Sequence, residues 1–564
     1  MPTNRGSSPT NTAEPPATPG RRVDVAATRD ARRTLLGTLG VSVVLAGAFL
    51  LAPPMGTDLA AQAARAGFAA RHGFVPIDFS WYGGVNQFGY SLYTQTLGAA
   101  VGTRQVGAVA AVVSAVALAW LLLRGRAPRP LLGGVLGAVV LVGNLASGRI
   151  TFAVGLMLGL LALCAVATHR GPRWARLVLA GALGALATWG SPVAGLFTGL
   201  AGGALLVTDV WRAAAHQRGD RQPRARSLRA LRAEGLVLCL APLAAIGPMA
   251  LMFGNGGRQP FTAESMRINV ALAVVVLALV PLRVLRVGAA LSALLLVAAY
   301  YLPTPIGSNA LRLPMLFALP VVAAFVVLGP RWLAALLAAL LWWQSPVMTS
   351  DLARMGSAPM HAAFYEPLLD ELGRRAPVGR VEVVPLRDHW ESAYVAEAVP
   401  LARGWERQVD VDRNPLFYGS GPDAAEYGDW LRRNAVSFVA VAPEDVPDRY
   451  ARSEAAVVLT GQPYLREVAR PGRWRLYEVV DPAPLVSPPA SLVESTAAGV
   501  RFTVDTPADV LVRVRWSRWL SLPDAGGCLR PGADGWTTVR ARAAGAYRVT
   551  SSLSPTGHCG PTGS

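Results

Sequence analysis

Two aspartates between residues 53 and 102 are the side chains best suited to chemistry. Asp58 follows the first strongly apolar segment by a few residues, and Asp78 lies among aromatic residues and glycines. A carboxylate at a membrane surface can act as a general base and take a proton from an acceptor hydroxyl while a phosphate leaves a sugar. We therefore interpret Asp58 and Asp78 as catalytic candidates. The alternative for Asp58 is that it caps a short amphipathic helix, which the sequence predicts over residues 59–71.

Aromatic residues and arginines would complete such a site. Trp81 and Tyr82 would stack on sugar rings. Arginine binds phosphate oxygens through a rigid and permanently charged fork. The candidate phosphate-binding residues on the predicted outer side are Arg149, Arg258, Arg267 and Arg312. Arg149 is favoured because its turn is too short to carry the guanidinium away from the membrane surface, whereas an average juxtamembrane arginine extends towards lipid headgroups.

Apolar segments must position these residues in a membrane. The chain has 564 residues, of which 52% are hydrophobic, and it contains repeated apolar runs. Spans of about 17–22 apolar residues predict a polytopic α-helical membrane protein with about eleven helices. They lie near residues 34–52, 105–123, 131–147, 151–168, 175–190, 193–211, 235–253, 268–282, 287–302, 313–329 and 332–345.

The distribution of arginines predicts the orientation of the chain. All 53 basic residues are arginines. With the N-terminus inside, sixteen loop arginines, including the cluster from Arg212 to Arg232, face the cytoplasm and seven face outwards. This asymmetry predicts a cytoplasmic N-terminus and an extracytoplasmic segment after Pro346. Because the net charge of +18 resides mostly in these loops, it does not indicate a nucleic-acid partner.

Composition divides the chain into four parts. Residues 1–32 are polar and predict a disordered cytoplasmic tail without a cleavable signal peptide. Residues 33–346 form the transmembrane domain, with a long first exterior loop at 53–104. Residues 347–481 predict an exterior α/β module, and the short alternating strands of residues 482–564 predict a small β-sandwich. Cys528 and Cys559 both lie in this last part, where an oxidising compartment predicts a disulfide.

At this point the chain resembles the GT-C superfamily of integral-membrane glycosyltransferases, which take sugars from polyprenyl-phosphate carriers. The resemblance rests on Asp58 at the start of a long exterior loop with a second acid at Asp78, on the many spans, and on the exterior C-terminal part. It implies a GT-C-like fold, Asp58 as catalytic base, arginine contacts to the carrier phosphate and inverting transfer to an envelope glycan or lipid. The lysine-free sequence looks actinobacterial, and the exterior ending is similar to that of membrane proteins of the YfhO type. No cofactor is established, and a divalent cation is left open because the loop has no paired acidic motif.

Two other functions compete with this interpretation. A transporter would suit about eleven spans rich in Gly and Pro, and Ser191-Pro192 would interrupt a helix beside a cavity. Coupled transporters need ionisable residues within the membrane, and the predicted spans hold almost none in their middle third. The other alternative is a non-catalytic membrane protein of envelope assembly.

Overall fold

The computed structural model describes residues 19–168, 170–216, 225–343, 348–524 and 526–560. A helix lies at each of the eleven predicted spans, so the polytopic helical architecture is confirmed. These helices are α1 (Pro19–Leu51), α4 (Thr103–Arg124), α5 (Pro130–Gly143), α6 (Ile150–Ala167), α7 (Arg173–Gly190), α8 (Pro192–His216), α9 (Ala225–Phe253), α10 (Ala263–Leu279), α11 (Arg283–Tyr301), α12 (Arg312–Phe325) and α13 (Pro330–Trp343). Helices α2 and α3 lie in the first exterior loop.

Eight segments in the described ranges are long and apolar enough to cross a membrane. Helices α7, α10 and α13 are not among them: α10 and α13 have 17 and 14 residues, and two arginines in the first turn of α7 lower its hydropathy. The count of eleven spans therefore stays a prediction.

The described ranges include only parts of the predicted N-terminal tail and of the arginine cluster. Helix α1 begins at Pro19, so the prediction of disorder is wrong for residues 19–32, where alanines and arginines continue the helix. Residues 1–18 lie outside the described ranges. So do residues 217–224 of the Arg212 to Arg232 cluster.

The first exterior loop is folded and largely buried. It contains α2 (Thr57–His72), β1 (Ile77–Asp78), β2 (Val85–Asn86) and α3 (Thr94–Val101), and β1 pairs with β2 in an antiparallel register. Phe68 and Phe79 are each 2% exposed. The loop lies between the membrane helices and the C-terminal part: Ile77 and Phe79 join the hydrophobic core of the C-terminal strands.

Residues 347–481, which we call the exterior module after their predicted side of the membrane, combine helices with a four-stranded sheet. Its helices are α14 (Met348–Leu352), α15 (Glu366–Arg374), α16 (Glu391–Tyr394), α17 (Arg407–Arg413), α18 (Ala424–Arg433) and α19 (Arg452–Leu459). Its strands are β3 (Arg380–Val383), β4 (Val436–Val441), β5 (Leu465–Ala469) and β6 (Arg475–Val479), in the order β3-β4-β6-β5. Only β3 and β4 pair in parallel within this sheet. Helix α18 begins with a reciprocal capping box between Asp423 and Glu426.

Two further sheets share one core at the end of the chain. The strands are β7 (Ala490–Thr496), β8 (Gly499–Val504), β9 (Ala508–Arg515), β10 (Leu520–Ser521), β11 (Gly527–Pro531), β12 (Trp536–Ala541) and β13 (Gly545–Ser551). One sheet has the order β10-β13-β8-β7 and the other β11-β12-β9. Alternate side chains such as Val510, Val512 and Val514 enter the core. Cys528 and Cys559 form a disulfide with a Cα–Cα distance of 4.9 Å.

Candidate active site

Asp58 lies in the first turn of α2 and does not cap it. The helix begins at Thr57, its N-cap residue is Gly56, and no side chain supplies the cap. The capping alternative is therefore wrong. The Asp58 carboxylate instead faces two guanidinium groups: its Oδ2 lies 3.5 Å from Nε of Arg149 and 3.6 Å from Nη2 of Arg312.

Two glycines bring the start of α2 against the turn that carries Arg149. Gly56 has φ +89°, and a Cβ there would lie 2.4 Å from the carbonyl oxygen of Ala146. Gly148 has φ +77°, and a Cβ there would lie 2.1 Å from the amide nitrogen of Leu59. Only glycine combines this backbone conformation with so close an approach. The backbone contact therefore sets the separation of Asp58 from Arg149.

Each of the two arginines has a side-chain N–H group that makes no hydrogen bond. Nε of Arg149 and Nη1 of Arg312 are buried and have no hydrogen-bond partner, and the distances to Asp58 exceed those of a good hydrogen bond. Burial, together with the positive charge of Arg312, lowers the pKa of Arg149. Asp58 keeps 31% of its side chain exposed. The side chain of Arg149 is partly buried and that of Arg312 is buried. Cations with unused donors next to a reachable carboxylate suit an anionic ligand.

Asp351 is a neighbouring carboxylate that sequence analysis missed. It is 5% exposed, accepts a hydrogen bond of 2.7 Å from Ser147 Oγ, and pairs with Arg354 at 2.9 Å. Burial raises the pKa of Asp351, and the negative charge of Asp58 adds to the increase. Asp351 thus supports the turn that presents Arg149. No local pattern marks it, because it reaches the turn only through the tertiary fold.

A narrow polar pocket lies beside the middle of α2. Gln62 and Arg65 lie four and seven residues after Asp58 and therefore on the same face of the helix. The pocket is lined by Gln62, Arg65, Tyr90, Ser91, Thr94, Gln95, Gly98, Thr103, Val106, Ile150 and Thr151. Thr151 donates a hydrogen bond to the Gln62 side-chain carbonyl. Most of the lining side chains are neutral hydrogen-bonding groups, the kind that recognises hydroxyls.

Asp78 has surroundings of its own. It is 4% exposed, and its Oδ1 accepts hydrogen bonds from the Ser80 amide at 2.9 Å and the Ser80 hydroxyl at 2.5 Å. Burial raises the pKa of Asp78 to about 6. The structure brings Asp78 into no described contact with Asp58, Arg149 or Arg312, so the two aspartates do not form a pair.

Trp81 and Tyr82 are buried, which contradicts their prediction as a sugar-stacking surface. Trp81 is 0% exposed and Tyr82 is 3% exposed. The indole Nε1 of Trp81 donates to the carbonyl of Ser392 at 3.0 Å, and the Tyr82 hydroxyl donates to that of Gly404 at 2.8 Å. The rings therefore join the first loop to the exterior module. Their buried faces cannot receive a sugar.

Arg258 and Arg267 do not reach the Asp58 carboxylate. Both are exposed, and neither forms a described ion pair. The backbone amide of Arg258 donates to the carbonyl of Gln408 at 3.1 Å. Of the four predicted phosphate-binding arginines, the structure brings Arg149 and Arg312 to Asp58 and leaves these two at the protein surface.

The residues around Asp58 do not fit a divalent cation. Mg²⁺ or Ca²⁺ requires several oxygen ligands, whereas Asp58 already faces two guanidinium groups that would repel a metal ion. The described ranges hold no group of three or more His, Cys, Asp or Glu residues suited to a metal.

No protein family and no curated protein matches this chain. Solved structures with similar folds include the arabinofuranosyltransferase AftD from Mycobacteria, at 17% identity and a TM-score of 0.44, with 84% of this chain and 41% of that chain covered. The apo structure of ArnT from Cupriavidus metallidurans has 14% identity and a TM-score of 0.40, with 82% and 98% covered. The Archaeoglobus fulgidus oligosaccharyltransferase has 10% identity and a TM-score of 0.41, with 73% and 69% covered.

The likeness is one of fold. The chain spans about two fifths to three fifths of the length of the AftD chains that it matches. These matches do not assign a functional role to any residue of this chain.

Proposed function

We propose that this chain is a membrane glycosyltransferase that moves a sugar from a polyprenyl-phosphate carrier to an envelope glycan or lipid acceptor. The observation that carries the proposal is the partly exposed Asp58 carboxylate facing Arg149 and Arg312 at 3.5 and 3.6 Å. Such an arrangement combines a general base with a binding site for a phosphate.

The reaction needs one displacement at the anomeric carbon. Asp58 takes the proton of an acceptor hydroxyl, and the oxygen attacks the anomeric carbon of the bound sugar. The bond between that carbon and the phosphate oxygen breaks, and the phosphate leaves with the electron pair. Because a single attack occurs from the opposite face, the configuration inverts and no covalent enzyme intermediate forms.

The two arginines would hold the departing phosphate. Nε of Arg149, which lies 3.5 Å from Asp58, and Nη1 of Arg312 have no hydrogen-bond partner, so they can donate to phosphate oxygens without breaking an existing hydrogen bond. Burial and the positive charge of Arg312 lower the pKa of Arg149, and a bound phosphate would oppose both effects. These interactions grow as negative charge develops on the leaving group, which favours the transition state.

The polar pocket along α2 would receive hydroxyl groups of the glycosyl unit. Two of its lining residues, Gln62 and Arg65, lie on the helix face that also carries Asp58, which supports this role. Amide and hydroxyl side chains can donate to and accept from sugar hydroxyls.

The proposed site lies on the outer face of the membrane. The excess of arginines in the other set of loops supports a cytoplasmic N-terminus and an extracytoplasmic C-terminal part. A lipid-linked donor would then reach Asp58 from the outer leaflet, beside the exterior module.

Replacing Asp58 by Asn tests the proposed chemistry, because Asn keeps the size of the side chain and removes the base. We expect sugar transfer from labelled polyprenyl-phosphate pentoses and hexoses in purified membranes to fall at least about 100-fold, with normal protein levels. Asp370→Asn is the matched control, because Asp370 is exposed on α15. Full activity of Asp58→Asn would refute the mechanism.

A further inference from the structure

A segment of the exterior module, residues 404–407, contacts α2 in two places. The indole Nε1 of Trp405 donates to the carbonyl oxygen of Thr57 at 2.7 Å, and Thr57 directly precedes Asp58. Two turns further along α2, Glu406 pairs with Arg65 at 2.7 Å. Both members of this ion pair are buried. The exterior module thus holds the helix at its first turn and again near its middle.

The indole of Trp405 is itself fixed in orientation. It stacks on the His389 ring with a centroid distance of 3.4 Å and an interplanar angle of 9°. His389 is 3% exposed and lies 3.4 Å from both Glu391 and Asp448. Arg407 places its guanidinium 4.5 Å from the centre of the Trp405 ring and pairs with Asp448 at 3.0 Å. The ring therefore cannot turn without disturbing a buried group of charges.

We propose that Trp405 is a positioning residue for Asp58, an inference that rests on the proposed function. The first turn of α2 is held by Gly56 and Gly148 against the turn before Arg149, and by the Trp405 hydrogen bond to Thr57. Without the indole N–H, the first turn loses one of these restraints. A shift of about 1 Å at a catalytic group can cost up to about 100-fold in rate.

The effect should appear in turnover and leave donor binding unchanged. Asp58 lies on α2, whereas Arg149 precedes α6 and Arg312 begins α12. A reorientation of the first turn about its contact with Gly148 therefore moves the base, whereas the two guanidinium groups stay on their own segments. A general loss of stability would instead reduce the amount of folded protein.

The test compares Trp405→Phe with Trp430→Phe in the full-length membrane protein. Trp430 is a matched control because its Nε1 also donates one hydrogen bond of 2.9 Å, to Asn414, within the exterior module. With labelled polyprenyl-phosphate sugars as donor, we expect kcat of Trp405→Phe to fall about tenfold and KM for the donor to stay within about threefold. Trp430→Phe should stay within about twofold in both. Trp405→Leu, which has no side-chain hydrogen-bond donor, should repeat the loss and serves if Trp405→Phe does not accumulate.

A second measurement does not depend on activity. Hydrogen exchange of the first two turns of α2 should be at least about fivefold faster in Trp405→Phe than in the wild type, and unchanged in Trp430→Phe. If the wild type transfers no sugar, the proposed function fails, and unchanged exchange would also overturn the positioning role. Unchanged kcat in an active enzyme would overturn it too, as would an equal loss of kcat in Trp430→Phe.

Discussion

Two groups of arginines and carboxylates in this protein differ in how fully their charges are paired. In the exterior module, Arg403 is surrounded by Glu382, Glu454 and Asp410, which we name the Arg403 cluster. Arg403 is 3% exposed in its side chain, bonds Glu382 at 2.9 Å and also bonds Glu454. At the Asp58 site, one carboxylate faces two arginines at 3.5 and 3.6 Å, and a buried nitrogen atom of each arginine has no hydrogen-bond partner.

The difference separates a group that supports the fold from one suited to a ligand. Arg403 hydrogen-bonds Glu382 through Nε and Glu454 through Nη2, lies 3.8 Å from Asp410 through Nη1, and rests 3.7 Å from the centre of the Phe417 ring. Two of its three nitrogen atoms thus already hold hydrogen bonds to carboxylates. Arg149 and Arg312 keep donors unused, although an unpaired buried donor costs free energy. Such a cost is typical of sites whose partner arrives from outside.

Removing Arg403 should have the largest effect on stability. Arg403→Met leaves Glu382 and Glu454 buried without a cation, and we expect the free energy of unfolding to fall by about 3–5 kcal/mol. The control is Arg432→Met, which breaks an exposed pair with Asp429 and should cost at most about 1 kcal/mol. Thermal unfolding in detergent measures both. Turnover per folded molecule should not change; equal melting temperatures for the two variants would contradict the comparison.

Asp78 offers an intermediate case, buried like the Arg403 cluster but without a contacting arginine. Burial raises its pKa to about 6, so between about pH 4 and 6 the native state keeps a proton that the unfolded chain releases. Stability should therefore fall as the pH rises through this window, by up to about 3 kcal/mol, and stay lower above it.

Asp78→Asn keeps an acceptor for Ser80 and removes the titration. Its melting temperature should depend less on pH than that of the wild type. Melting temperatures of both proteins measured from pH 4 to 7 test this prediction. Parallel curves of melting temperature against pH would show that Asp78 does not titrate in this range.

Arg149→Gln should show the smallest effect on stability and a clear effect on donor binding. Because burial and Arg312 lower the pKa of Arg149, its charge contributes little to folding, and the free energy of unfolding should change by less than about 1 kcal/mol. The KM for a polyprenyl-phosphate sugar should rise about 10- to 100-fold, the usual loss for hydrogen bonds to a charged group. A stable variant with unchanged KM would exclude Arg149 from the phosphate site.

Local patterns in the sequence predict much of the architecture. A helix lies at each predicted span because hydrophobicity is a property of one continuous segment. The strands near residues 381, 436 and 475 follow in the same way. Local features also mark Asp58 and Arg149 as candidate site residues: Asp58 is an acid just after an apolar segment, and Arg149 is an arginine in a very short turn.

Only the tertiary structure decided which side chains meet. Trp81 and Tyr82 have the composition of a sugar-binding surface, yet they are buried because the exterior module packs on the first loop. Asp351 and Trp405 reach the surroundings of Asp58 from far along the chain. Contacts between distant segments leave no periodic or spacing signal in the sequence, because they depend on how the exterior module packs against the membrane domain.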